Sequence, residues 1–222
     1  MSAGGGGTSG TMPSAALKRA GAEALGAGLL AGIVVLFGAL AGWRLGPGGW
    51  SLLATTCASA VAMVGVLTSL RPVSGGYLNP AITLGAAIRG DVRWKEVALY
   101  AGAQLLGALG VGIPLVRALG QPLAVPPTVG GTGLESVAAF GLHTVYAGTT
   151  GRGGRLALIA PAIYLGGMFW FTASGSLGNP ALALAWVLGR GGPWDSVLGV
   201  ILAQFGGAAV SGALWRWLRP GL

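Results

Sequence analysis

One short stretch occurs twice in this chain, and the duplication constrains the fold more than any other feature. Residues 74–81 read SGGYLNPA and residues 174–181 read SGSLGNPA, so an Asn-Pro-Ala triplet recurs at an offset of 100 positions. The correspondence continues downstream, where Ala103-Gln104 matches Ala203-Gln204. Such self-similarity at a fixed spacing indicates an internal repeat.

The composition assigns the repeat to a membrane. Apolar residues make up 53% of the 222 positions and charged residues only 8%, against about 25% charged residues in soluble domains. The 13 Lys and Arg residues are scattered in ones and twos between apolar runs. Because a nucleic-acid-binding surface needs clustered basic residues, we expect the lipid bilayer, and no nucleic acid, as the partner.

Six apolar segments approach the ~20 residues that a helix needs to cross ~30 Å of hydrocarbon. They are residues 20–43, 50–70, 94–115, 134–149, 156–174 and 194–218. Two shorter apolar segments, residues 79–89 and 179–190, each begin with Asn-Pro. Asn is a preferred N-cap and Pro suits the first helical position, so both segments predict half-helices that enter the membrane without crossing it.

The repeat also predicts how the two halves are oriented. Each half has three spans, an odd number, so the second half is inverted relative to the first and the half-helices meet at their N-termini. The fold class is therefore all-α and integral to the membrane, with six transmembrane helices and two re-entrant half-helices in an inverted repeat. With a cytoplasmic N-terminus, ten basic residues lie inside and three, Arg44, Arg117 and Arg190, lie outside, which follows the positive-inside rule.

Two carboxylates, Glu23 and Glu135, occupy equivalent places early in the first span of each half. A carboxylate in hydrocarbon marks a polar interior. It is either a proton or ion site, or an anchor that accepts hydrogen bonds from the N–H groups of a re-entrant loop. Its symmetrical occurrence favours the anchor.

These residues together resemble the aquaporin and aquaglyceroporin superfamily, the major intrinsic proteins, over about residues 20–218. The resemblance implies a passive channel without cofactor or catalytic site, assembled as a homotetramer whose protomers each contain a pore for water and small neutral solutes. It implies one channel domain over residues 16–222, with inverted repeats at about 20–118 and 132–219, after a tail at 1–15 that we expect to be disordered. The pore motifs would be Asn79, Pro80, Ala81, Asn179, Pro180 and Ala181.

The resemblance also implies an outer selectivity filter lined by Ser59, Gly167, Ser176 and Leu182. Family members that pass water or glycerol usually have Arg where this chain has Leu182, and water-selective members have bulky aromatic and His side chains at the first two positions. Without the guanidinium and those rings, we expect a wide, less polar filter. It would admit glycerol, urea or undissociated metalloid acids such as arsenous acid. The alternative is that Arg190 or Arg44 supplies the missing charge from a loop.

Two other function classes compete with a channel. A secondary transporter also uses inverted repeats and broken helices, but neither half-helix segment contains Asp, Glu or His. An enzyme is disfavoured because no metal-ligand spacing or activated nucleophile can be assembled, and His143 is expected to be a packed or lumen-facing helix residue. We expect a multi-pass protein of the inner cell membrane with both termini in the cytoplasm.

Overall fold

The computed structural model describes residues 14–119, 129–150, 154–172, 175, 177–192 and 194–219. The predicted tail lies outside these residues, apart from Ser14 and Ala15, which are helical. The described residues form eight α-helices: α1 (Ser14–Leu45), α2 (Gly49–Ser74), α3 (Pro80–Arg89), α4 (Trp94–Leu119), α5 (Val129–Thr149), α6 (Leu156–Met168), α7 (Pro180–Arg190) and α8 (Trp194–Leu218).

All six predicted spans and both half-helices are present, with one shorter than expected. Helix α6 ends at Met168 rather than near residue 174, and its 13 residues rise only about 20 Å. Within the described residues, α1, α2, α4 and α8 are long and apolar enough to cross a membrane. Helix α5 has 21 residues and carries Glu135 and His143.

Local capping chemistry explains where the half-helices begin and end. Asn79 and Asn179 are extended N-cap residues whose side chains accept backbone N–H groups, and Pro follows each of them. Gly90 and Gly191 end the helices in the left-handed region, at φ 107° and 87°, which glycine adopts without steric cost. Both half-helices are therefore specified by their own terminal residues.

The two halves of the repeat interlock. Helix α1 packs along α4 and α5 along α8, while half-helix α3 packs against α8 and α7 against α4. Each half-helix thus lies on the last span of the other half. Glycines permit the close crossings: a Cβ at Gly107 would lie 1.8 Å from the Ala24 carbonyl oxygen, and one at Gly207 would lie 2.0 Å from that of Ser136.

The outward surface is apolar and carries tryptophan at the helix ends. The exposed indole side chains are those of Trp43, Trp50, Trp94, Trp170, Trp194 and Trp217. Tryptophan concentrates at the headgroup level of a bilayer, so these side chains mark the two interfaces. We call the end of the bundle where α1 begins and α8 ends the inner end, and the opposite end the outer end.

Candidate functional site

The N-termini of the two half-helices meet at the centre of the bundle. The Asn79 Nδ2 donates to the Gly178 carbonyl oxygen at 3.0 Å, and the Asn179 Nδ2 donates to that of Leu78 at 3.1 Å. Each Oδ1 caps its own helix, accepting from the N–H two residues ahead at 2.9 and 3.0 Å. Because an amide NH₂ carries two hydrogens, each side chain retains one N–H beyond this exchange.

The loops that lead to these asparagines adopt unusual backbone angles. Leu78 has φ 55° and Leu177 has φ 53°, although a left-handed conformation costs a non-glycine residue about 1–2 kcal/mol. Such strain persists only where the surrounding structure holds the backbone in place.

Glu23 holds the first loop. Its side chain is fully buried, and Oε1 accepts from the Ser74 hydroxyl at 2.6 Å and the Tyr77 N–H at 3.1 Å. Oε2 accepts from the Leu78 N–H and from the Gln104 side-chain amide, both at 2.6 Å. Four donors around one buried carboxylate are what the anchor interpretation requires.

Glu135 has the corresponding role in the second half. It is fully buried, and its Oε2 accepts from the Gly178 N–H at 2.9 Å and from the Gln204 side-chain amide at 2.8 Å. The two carboxylates therefore hold the two loops in symmetry-related ways, each with a glutamine from the third span of its own half.

Three aromatic anchors were missed by the sequence analysis. Tyr100 donates to the Ser74 carbonyl oxygen at 3.0 Å, Tyr146 to that of Gly76 at 2.6 Å, and the Trp186 indole N–H to that of Gly175 at 3.0 Å. The available signal was a break in the repeat, since Tyr100 corresponds to Val200, and Trp186 to Ala86. A polar aromatic side chain inside an apolar helix needs a partner for its N–H or O–H.

A narrow cavity surrounds the paired asparagines. Besides Asn79 and Asn179 it is lined by Leu30, Met63, Leu67, Tyr77, Leu78, Leu142, Tyr146, Pro161, Leu165 and Leu177. Its volume of about 10 Å³ is close to the minimum that holds one water molecule. The described residues of the lining carry no carboxylate, ammonium or imidazole group.

Two of the four predicted filter residues, Ser59 and Leu182, are fully buried. Ser59 lies one turn before Met63 on α2, and Met63 lines the cavity, so Ser59 faces the same side. Its hydroxyl has no hydrogen-bond partner among the described residues. Leu182, the third residue of α7, is fully buried in the hydrophobic core. Ser176 lies outside the described residues.

Gly167, the fourth predicted filter residue, does not line the central cavity. It shares the outward face of α6 with Ile163, which is 62% exposed, whereas Pro161 and Leu165 line the cavity from the opposite face. The fully buried α6 residue next to it is Met168, which packs against Gly178. The place of Gly167 in an outer filter therefore stays a prediction.

His143 is a packing residue. Its Nδ1 lies 2.9 Å from the Ser211 hydroxyl, which in turn lies 2.8 Å from that of Thr144. The imidazole ring fills the space left by Gly85 of α3, where a Cβ would approach the His143 Cδ2 to 2.5 Å. The side chain therefore joins α5, α8 and α3 and does not line the central cavity.

Comparison with known proteins identifies the family. The family model described as "Major intrinsic protein" matches residues 11–161. The chain belongs to the major intrinsic protein family. Members of this family are passive channels, so the chain is a membrane channel and not an enzyme.

Relatives are found in bacteria and plants. Aquaglyceroporin AqpS of Rhizobium meliloti (strain 1021) is 35% identical over 212 residues, covering 90% of both chains. Probable aquaporin TIP3-2 of Oryza sativa subsp. japonica is 34% identical over 184 residues, covering 75% of this chain and 68% of the relative. The glycerol uptake facilitator protein of Bacillus subtilis (strain 168) is 37% identical over 86 residues, covering 38% and 28%.

The fold is shared with a solved structure. The X-ray structure of the aquaglyceroporin from Plasmodium falciparum superposes with a TM-score of 0.65 at 16% identity, covering 90% of this chain and 95% of that one. This likeness establishes the architecture, and with it the predicted fold class.

Proposed function

We propose that this major intrinsic protein passes uncharged solutes larger than water, together with water, through an outer filter that lacks arginine. The observation that carries the proposal is the meeting of two half-helix N-termini at Asn79 and Asn179, each with an amide N–H beyond those that hold the loops. A permeating oxygen can accept from these groups as it passes.

The same arrangement disfavours cations. Each helix N-terminus carries roughly half a positive elementary charge, and the two N-termini point at one place. No carboxylate among the cavity-lining residues compensates them. A neutral molecule with oxygen acceptors is therefore the species that this centre accommodates best.

The range of solutes follows from Leu182 and Ser59. Leu182 offers neither the charge nor the five N–H donors of a guanidinium, and Ser59 is small, with a buried hydroxyl that no described residue pairs. Such a filter favours the passage of glycerol, urea or arsenous acid, whereas a narrower and more polar filter would pass water alone. The names of two relatives, an aquaglyceroporin and a glycerol uptake facilitator, support this direction.

The positions of Arg44 and Arg190, at the ends of α1 and α7, favour the arginine-free filter. Arg44 and Arg190 are both exposed at the outer end. Arg190 is the last residue of α7, and eight residues of helix, about 12 Å, separate it from Leu182.

A secondary transporter remains the competing proposal and makes a different prediction. Coupling to protons or sodium needs an ionisable group at the binding site, and the central cavity lining supplies no carboxylate or imidazole. We therefore expect solute flux down its own gradient, unchanged when proton and sodium gradients are collapsed.

Stopped-flow light scattering on proteoliposomes tests the proposal. Water, glycerol, urea and arsenous acid are compared in vesicles with and without the full chain. Glycerol or arsenous acid flux well above that of empty vesicles is expected. Rapid water flux with every larger solute excluded would contradict the proposed wide filter. Flux that requires an ion gradient would favour the transporter.

Leu182→Arg is expected to narrow the range of permeant solutes. A guanidinium at the third residue of α7 adds positive charge and bulk where α7 begins. Glycerol and arsenous acid fluxes should fall at least about tenfold, a barrier increase of ~1.4 kcal/mol, while water flux changes less. Leu182→Met, which keeps an apolar side chain of similar volume, is the matched control. Equal fluxes in both variants would show that residue 182 does not determine which solutes pass.

We also propose a homotetramer in the inner cell membrane with both termini cytoplasmic. The basic side chains of Arg89 and Arg216 lie together at the inner end, where they donate to the carbonyl oxygens of Ala147 and Ile88. A basic inner end is typical of the cytoplasmic side. Native mass spectrometry in detergent tests the tetramer, and protease access to a C-terminal tag in sealed vesicles tests the orientation.

A further inference from the structure

We propose that Tyr77, Tyr146 and Arg71 form a second selectivity constriction at the inner end of the pore, which binds oxygen atoms of uncharged hydroxylated solutes and excludes cations. The inference rests on the proposed channel function. Part of the selection between solutes would then occur on the inner side of Asn79, whereas Leu182 lies on its outer side.

Tyr77 lies at the boundary between two cavities. It contributes to the narrow cavity around the asparagines and also to a larger cavity of about 420 Å³ at the inner end. Among the described residues, Tyr77 is the one that lines both cavities. A solute that passes between the two spaces therefore passes its side chain.

The ring of Tyr77 is held by two other tyrosines. Its centroid lies 6.4 Å from that of Tyr100 and 6.2 Å from that of Tyr146. The hydroxyls of Tyr100 and Tyr146 already donate hydrogen bonds, to the carbonyl oxygens of Ser74 and Gly76 respectively. Among the described residues no hydrogen bond engages the Tyr77 hydroxyl, so it is available to a solute.

Arg71 adds a positive charge beside this aromatic pair. Its guanidinium lies 5.1 Å from the centroid of the Tyr146 ring and donates through Nη1 to the carbonyl oxygen of Ala157. That acceptor is neutral, and Arg71 takes part in no salt bridge of the described residues. Its charge is therefore not compensated by a carboxylate.

The charged residues that line the larger cavity balance one another, since Arg19 and Arg93 stand against Asp91 and Glu96. Arg19 and Arg93 both pair with Glu96, and Arg89 pairs with Asp91. Arg71 is therefore the charge beside Tyr146 that no carboxylate of the described residues pairs. An aromatic wall with a hydroxyl and a guanidinium offers donors to a neutral hydroxylated solute and repels a cation.

The hydroxyl is tested with the Tyr77→Phe variant of the full chain in proteoliposomes, using glycerol and water as probes. The ratio of glycerol to water permeability should fall about fivefold, the effect of losing one net hydrogen bond. Tyr164→Phe is the matched control, because its hydroxyl packs against Gly141 and lines neither cavity. A ratio in Tyr77→Phe equal to that of the native chain would overturn this role.

The charge is tested with methylammonium efflux from the same vesicles. Arg71→Gln, which keeps amide donors but not the charge, should pass methylammonium faster than the native chain, although the half-helix N-termini still disfavour cations. Arg117→Gln, changed at an exposed outer-end residue, should exclude methylammonium as the native chain does. Arg71→Lys should restore exclusion and keeps the test valid if Arg71→Gln folds poorly. Equal exclusion by all variants, or passage by the native chain, would overturn the role of Arg71.

The controls separate this inference from the channel proposal. Native flux above empty vesicles with unchanged ratios in the Tyr77 and Arg71 variants would overturn the inner constriction alone. Flux in Tyr77→Ala but not in the native chain would support it as a closed barrier. No flux in the native chain or any variant would overturn both.

Discussion

Glu23→Ala is expected to leave almost no folded protein. The carboxylate accepts four hydrogen bonds, from Ser74, Tyr77, Leu78 and Gln104. Each buried donor that loses its acceptor costs about 1–3 kcal/mol. Four such losses are comparable with the whole stability of about 5–15 kcal/mol that a native protein has. The monodisperse fraction in size-exclusion chromatography and the midpoint of thermal unfolding in detergent measure the effect.

Glu96→Ala is the matched control for Glu23. Glu96 also carries a hydrogen-bonded carboxylate, but it pairs with Arg19 and Arg93 at the inner end, where water can replace it. Glu96 lines the cavity at the inner end and its partner Arg93 is exposed. Because surface pairs contribute only about 0–1 kcal/mol, this variant should be destabilised far less than Glu23→Ala. A Glu23→Ala protein that elutes and melts like the native one would contradict the anchor interpretation.

Gly107→Ala is the second change with a large expected effect. The added Cβ would lie 1.8 Å from the Ala24 carbonyl oxygen, which is backbone and cannot rotate away. Helices α1 and α4 would have to separate along their contact. Because overpacking costs about 1–3 kcal/mol even where side chains can adjust, the thermal midpoint should fall sharply. Gly207→Ala, at the equivalent crossing of α5 and α8, should behave similarly.

Gly102→Ala on the same helix is the control. A Cβ there meets no atom within 4 Å, and Ala is favoured over Gly in a helix by about 1 kcal/mol. We expect a thermal midpoint equal to or slightly above that of the native chain. Equal destabilisation of the Gly102 and Gly107 variants would show that helix propensity, not the crossing, decides the result.

Much of the architecture could be predicted because its signals are local. The N-caps at Asn79 and Asn179 lie where the triplets predicted them, since capping depends on the residue and its next few neighbours. Glu23 and Glu135 were found because a buried carboxylate is costly in hydrocarbon and therefore needs nearby donors. The inverted repeat then predicted that the half-helices of the two halves meet at their N-termini.

Helix rotation and breaks in the repeat limited what the sequence could predict. Counting along the chain put Gly167 in the filter, but each residue turns a helix by 100°, and in the structure Gly167 shares the exposed face of α6 with Ile163. Tyr100, Tyr146 and Trp186 were missed because the repeat gives no equivalent for them, and their partners are loop carbonyl oxygens distant in sequence.

The sequence by itself therefore determined the membrane class, the inverted repeat and the two half-helices, because hydrophobic length and capping are properties of contiguous residues. Only the tertiary structure decided which side chains reach the axis. It joined Tyr77, Tyr146 and the neighbouring Arg71 at the inner end and turned Gly167 outward. Those outcomes depend on how helices far apart in the chain rotate and pack against one another, which no local pattern specifies.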